Sequence, residues 1–380
     1  MKRLLKTVLV AATLTLVPAM ADTGYVKDDI LISPEEAIKL IGNPKVMFVS
    51  GDSPDIYELG HIKGSVEMYA HHLHHSDLMG NMHCDPLFRC IDDAEHYIGS
   101  KGITNDMMII AYDDFKGPNA TGVYAFFKSY GHKNVKVLNG GREGIKAIDP
   151  AQIEYDKYYQ ELRTVKKDGK KDSKKLKDVK KGKIEVSAEE RKALEASVKA
   201  NKAKQKELNA KLKVIEPNLM VVKGKEHVDP AKYHIDQAKL DLSHLASKHE
   251  VAEAAADIAK NGEASKFVII DTRGMTEIIG ERKMDNVARA GHIPGATFIE
   301  WKKISDGDEK RSFRSAEALK SVFEEYGVTK DKTVYAYCHV GTGRSSEIIT
   351  ALELLGYPNA KIFTGSWDTW GNDMNLPIKR

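Results

Sequence analysis

The sequence predicts an α/β protein made of two copies of one domain, each a mainly parallel sheet with helices on both faces, with a lysine-rich helical insert between them. Three observations carry this. Forty residues from Gly102 lie over forty from Gly327 without a gap. Within each copy, short apolar and β-branched runs alternate with helical stretches, which is the order of a parallel sheet. Between the copies the composition changes abruptly to Lys, Ala and Glu.

The N-terminus carries Lys2, Arg3 and Lys6, then an apolar stretch from Val8 to Val17 and the small residues Ala19 and Ala21. This is the pattern of a signal peptide over residues 1–21, cleaved after Ala21, and its apolar core is too short to span a bilayer. No later run approaches ~18 apolar residues, so no transmembrane segment is expected. An exported protein in a bacterial periplasm is the expectation. The formal net charge of +3 is too small to argue for nucleic acid.

The first copy is expected over residues 30–150. Its turn Gly60-His61-Ile62-Lys63-Gly64 answers Gly291-His292-Ile293-Pro294-Gly295 in the second. After that turn comes His71-His72-Leu73-His74-His75, with Met79, Met82, His83 and Cys84 close behind. These are soft and imidazole ligands that would suit zinc or copper, which makes His74 and His83 metal candidates; the competing reading is a solvated surface loop. Cys84 and Cys90 could pair in an oxidising compartment, leaving Cys338 as the odd thiol.

Residues 151–235 form the insert. Ten Lys against three Asp lie between 166 and 183, a local +7 that leaves the rest of the chain at about −4 (+3 less +7). That stretch reads as solvated and mobile. Ser187-Ala188-Glu189-Glu190 reads as a capping box opening a long helix to about Leu212, with too few apolar positions to pack deeply. The insert is either an electrostatic tether for an acidic protein or lipid partner, or a solubilising spacer.

The second copy, residues 236–380, holds the most informative segment. Thr333 to Tyr337 reads as a buried strand, followed by Cys338, a loop through His339, Val340, Gly341, Thr342 and Gly343, and a helix opened by Arg344, Ser345 and Ser346. A cysteine at a strand end, with backbone N–H groups curling round it at a helix N-terminus, sits in an anion-binding nest that favours its thiolate, the nucleophilic form. Arg344 can hold an oxyanion beside the sulfur, or cap the loop. The repeat places Asp113 opposite Cys338 and Asn119 opposite Arg344, so the first copy has neither nucleophile nor Arg.

The runs Val268–Arg273 (VIIDTR), Ala290–Ala296 (AGHIPGA), Tyr337–Ser346 (YCHVGTGRSS) and Gly365–Gly371 (GSWDTWG), in that order, resemble the tandem-domain rhodanese family of sulfurtransferases. The resemblance implies two five-stranded domains, with one active site made by the C-terminal domain and roofed by the N-terminal one. It implies a Cys338 persulfide that carries sulfur from a small donor anion such as thiosulfate to a thiol or cyanide-like acceptor, with no cofactor. Asp271 and Arg273 are expected to form a supporting pair, His339 to shuttle protons or face solvent, and Trp367 and Trp370 to pack beneath or beside the site and shape its entrance.

Two departures qualify the resemblance. Cys338 and Arg344 are separated by five residues, one more than in many rhodaneses, which is the spacing of cysteine phosphatases and of the phosphatase branch of the fold. A phosphatase or arsenate reductase is therefore the enzymatic rival, and a non-enzymatic persulfide or metal carrier is the third reading. Glu277 stands four residues after Arg273, where thiosulfate-using relatives tend to carry Arg, which weakens the case for thiosulfate; Arg282, Lys283 and Arg289 are the cations that could compensate.

Overall fold

The computed structural model describes residues 24–380. The signal-peptide expectation for residues 1–21 lies outside the described residues.

In chain order the strands are β1 (Leu31–Ile32), β2 (Val46–Ser50), β3 (His61–Ile62), β4 (Val66–Glu67), β5 (Met108–Tyr112), β6 (Val135–Leu138), β7 (Val221–Val222), β8 (Leu245–Ala246), β9 (Phe267–Asp271), β10 (Thr297–Phe298), β11 (Thr333–Tyr337) and β12 (Ala360–Phe363). Two five-stranded sheets result, ordered β1-β6-β5-β2-β4 and β8-β12-β11-β9-β10. Every pairing within them is parallel. The two orders are identical position by position, as the gapless repeat predicts. The central strands β5 and β11 are apolar almost throughout and buried, because helices cover both faces of a parallel sheet. The repeat extends to a hydrogen bond: Tyr112 Oη accepts from Ile62 N at 3.0 Å, and Tyr337 Oη accepts from Ile293 N at 3.1 Å.

The insert differs from expectation. The Lys-rich stretch is not a mobile segment but the distal half of a helix, Pro150–Lys180, which pairs with a second helix, Ala188–Ile215, in a long hairpin. Leu162, Leu208 and Leu212 pack together with Tyr155, Tyr158 and Val165, and Asp172 accepts from Ser197 Oγ at 2.6 Å and Asn201 Nδ2 at 3.2 Å. Lysine is a good helix former, so the charge run needed only this seam to hold its shape. The second helix opens on the expected capping box at Ser187 and Glu190. The lysines point outward, all exposed.

Of the contacts that join the domains, two bear on the segments that follow β11 and β12. The helix Pro118–Ser129 packs on the helix Arg344–Leu354 so closely that a Cβ on Gly122 would lie 2.8 Å from the carbonyl carbon of Thr342. The excursion after β4 forms the second contact, tied by a Cys84–Cys90 disulfide with a Cα separation of 5.2 Å.

Candidate active site

Cys338 stands at the C-terminal end of β11, where a parallel sheet presents its ligands, and is 2 % exposed. Its own N–H donates to Ser366 Oγ at 3.1 Å, and its carbonyl accepts from Trp367 N at 3.1 Å, so the backbone under the sulfur is pinned. Gly341 takes φ +76°, and a Cβ there would press on Thr364, so the turn needs glycine. None of the N–H groups from His339 to Arg344 donates to a described group. They remain available to an anion on or near the sulfur, as the nest reading requires. The hydroxyl of Ser345 lies 3.3 Å from Cys338 Sγ and 3.0 Å from Gly341 O, within reach of both. Thr342 Oγ1 is buried without a hydrogen-bond partner among the described residues.

The first copy is occupied at the equivalent place. Asp113 accepts from the backbone N–H of Gly117 at 3.1 Å, Asn119 at 3.1 Å and Ala120 at 3.2 Å, so a fixed carboxyl group fills its own nest. Burial, reinforced by the charges of Asp52 and Asp114, pushes the Asp113 carboxyl up to about 8 despite those donors.

Asp271 and Arg273 are paired under the site. Arg273 donates from Nε at 2.9 Å and from a terminal nitrogen at 2.7 Å to the two Asp271 oxygens, and from that nitrogen to Gly291 O at 2.7 Å. Its guanidinium lies 4.5 Å from the Trp367 ring and 5.4 Å from that of Tyr337. Tyr337 Oη donates to Asp271 at 2.6 Å, which closes the network. Trp367 and Trp370 are buried in the core beneath the loop, their indole N–H groups on Arg289 O and Pro377 O. With 2 % and 0 % exposure they support the loop but do not form an entrance.

The N-terminal domain packs a loop against the C-terminal domain near the site. His74, read from sequence as a solvated-loop or metal residue, is inserted against the C-terminal domain, its nitrogens 3.2 Å from Thr364 O and 3.3 Å from Asp368 Oδ2. Ser76 Oγ donates to Asp368 at 2.8 Å, and Thr369 Oγ1 donates to Gly80 O. The loop is thus an interdomain strap and not a free excursion. His83 instead meets His75, and no group of three or more metal-ligating side chains forms among the described residues. His339, expected to shuttle protons or face solvent, is buried, and burial lowers its basicity. His71, on the same excursion as His74, is solvent-exposed, and partial burial together with the charge of Arg344 lowers its basicity, which leaves it neutral at physiological pH.

Arg344 reaches Glu277 with both terminal nitrogens, at 2.6 and 3.3 Å. Burial would raise the Glu277 carboxyl, but Arg344, with Arg273 and Arg282 behind it, outweighs that and holds it below its ordinary range. Lys283 and Arg289 are committed to backbone carbonyls, so neither offers the site a free cation. The contacts of Ser345 and Glu277 with Cys338 and Arg344 were not read from the sequence. The only signal for Ser345 is its place in the first helical turn, directly after Arg344.

A family profile described as the rhodanese-like domain matches residues 33–148 and again 252–373. The chain belongs to the rhodanese family. The tandem arrangement is shared along the whole chain with a protein of Thermus thermophilus named sulfur carrier protein TtuD, 26 % identical over 362 residues that span 94 % of this chain and 99 % of that one. A thiosulfate sulfurtransferase of Pseudomonas aeruginosa is 34 % identical over 116 residues, 30 % of this chain and 41 % of that one. In fold the chain resembles the 3-mercaptopyruvate sulfotransferase SseA of Escherichia coli, with a TM-score of 0.57 and 17 % identity over 89 % of this chain and 98 % of that one.

Proposed function

We propose that this rhodanese is a sulfurtransferase that carries a sulfane sulfur as a persulfide on Cys338. The supporting observation is the contrast between the two loops: at Cys338 the N–H groups are unspent and a Ser345 hydroxyl faces the sulfur, whereas Asp113 closes the other loop on itself. The Cys338 thiolate attacks the outer sulfur of the donor, the donor's inner group departs with the bonding electrons, and a thiol or cyanide-like acceptor then takes the sulfur and restores the thiolate. The N–H groups of His339 to Arg344 stabilise negative charge at both stages. The test is steady-state kinetics with a sulfane donor and cyanide. A ping-pong pattern abolished in Cys338→Ser supports the reading; turnover that survives the substitution sinks it.

Phosphatase or arsenate reductase chemistry is the second reading, supported by the five-residue spacing and by the Ser345 hydroxyl next to Sγ. The Glu277 carboxylate on Arg344 weighs against it, since it stands where a phosphate or arsenate would need the guanidinium. Turnover of a phosphate ester by wild type but not by Cys338→Ser would favour it.

An exported location is supported by the leader-like residues 1–21 and by the Cys84–Cys90 disulfide, which persists in oxidising compartments. The lysine face of the hairpin suits an acidic protein or lipid partner. The hairpin's salt bridges fall on Arg191, Lys204 and Lys211, leaving the ten lysines of 166–183 without a carboxylate partner among the described residues. Loss of binding to anionic vesicles or acidic proteins above about 0.15 M salt, where screening is strong, would support that role.

A further inference from the structure

The proposed sulfur transfer leaves the donor's chemical class open, and the charge arrangement around Arg344 narrows it. Its two terminal nitrogens both lie on Glu277, end to end with the two carboxylate oxygens. The side chains are 25 % and 11 % exposed, so the pair is only partly screened by water. The second guanidinium of the site, Arg273, is equally committed to Asp271. Two histidines near Arg344 add no positive charge at neutral pH. His71 and His339 are neutral there, and Asp368 adds a carboxylate held by His74, Ser76 and Asn286. Arg282, the remaining cation near Glu277, is on the exposed surface. A small anion entering beside Cys338 would therefore meet the N–H groups of the loop, but neutralised guanidiniums and two carboxylates as the charges around it.

We propose that Glu277 is a specificity residue that bars small anionic donors, and that the site takes its sulfur from the persulfide of an uncharged or cationic thiol. This rests on the transferase reading above. In the step, Cys338 S⁻ and R–S–SH give Cys338–S–SH and R–S⁻: one S–S bond forms as another breaks, the proton stays on the transferred sulfur, and no outside oxidant or reductant is needed.

The test compares donors of similar length and opposite charge, cysteamine persulfide and mercaptopropionate persulfide, together with thiosulfate, by the rate of persulfide formation on Cys338. Wild type is expected to use the cationic donor about 10–100-fold more efficiently than the anionic one, the range for removing or adding one charged hydrogen-bond partner. Glu277→Gln, which keeps the side chain's shape, is expected to erase that ratio and raise thiosulfate use by a similar factor, through the donor concentration needed and not through the limiting rate. Equal use of the two persulfides by wild type overturns the proposal, and that comparison does not depend on the variant folding. A folded Glu277→Gln with an unchanged donor ratio also overturns it, while leaving the transferase reading intact. No persulfide on Cys338 from any donor, in either protein, overturns both.

Discussion

Gly122→Ala is the substitution that most sharply separates local from interdomain effects. Gly122 lies inside the helix Pro118–Ser129, where alanine would ordinarily add about 0.5–1 kcal/mol of stability. Here the added Cβ would sit 2.8 Å from the carbonyl carbon of Thr342, 0.6 Å inside the 3.4 Å at which ordinary contact begins, and closer still to the carbonyl oxygen. Neither neighbour can yield by a side-chain rotation, because both atoms are backbone. Overpacking of this kind costs about 1–3 kcal/mol, which exceeds the helical gain and reverses its sign. Thr342 is in the loop between Cys338 and Arg344, so relief requires the helix or the loop to move by over half an ångström. A displacement of that order in a positioning element costs up to about 100-fold in rate. The assay is Cys338 persulfidation alongside thermal unfolding, with Gly99→Ala as a control because its Cβ would meet Ala231, away from the loop. Wild-type persulfidation by a folded Gly122→Ala would refute the idea that the N-terminal domain holds the catalytic loop in place.

Tyr337→Phe removes the hydroxyl bonded to Asp271 and to Ile293 N; we expect a loss of about 1–3 kcal/mol in chemical denaturation, with Cys338 still able to accept sulfur. Arg273→Lys breaks a buried fork and its ring contacts, and should cost about 3–5 kcal/mol by the same measurement. Replacing Cys84 and Cys90 by Ser opens a short loop, worth about 2 kcal/mol, and should loosen the strap that seats His74, seen as faster amide exchange at residues 74–82. The buried Asp113 should produce a pH slope. Its native carboxyl keeps a proton that the unfolded chain gives up near pH 4, so stability falls as pH rises from about 4 to about 8 and is level above. Asp113→Asn should flatten that slope in unfolding titrations; an unchanged slope would assign it elsewhere.

Much of the fold was legible because the chain repeats itself. Gly102 over Gly327 and Asp113 over Cys338 carry both the two-copy parallel α/β architecture and the absence of a nucleophile from the first copy. What escaped depended on contacts across the domain boundary, which local pattern does not encode. His74 looks like a loop or metal residue until Asp368, nearly three hundred positions away, lies against it. His339 looks solvent-facing for the same reason. The lysine run reads as disordered because composition alone argues that way, while Leu162 and Leu212, on two separate helices, provide a seam that only the hairpin reveals. Glu277 was noticed as the wrong charge for a thiosulfate site, but its attachment to Arg344 needed geometry.

The central claim is that Cys338 alone carries the transferred sulfur. Intact-mass analysis of wild type and Cys338→Ser after incubation with a persulfide donor tests it most directly. The account predicts one added sulfur on wild type, removed by cyanide, and none on Cys338→Ser. An adduct that persists in Cys338→Ser, or a wild type left unmodified by every donor, would contradict it.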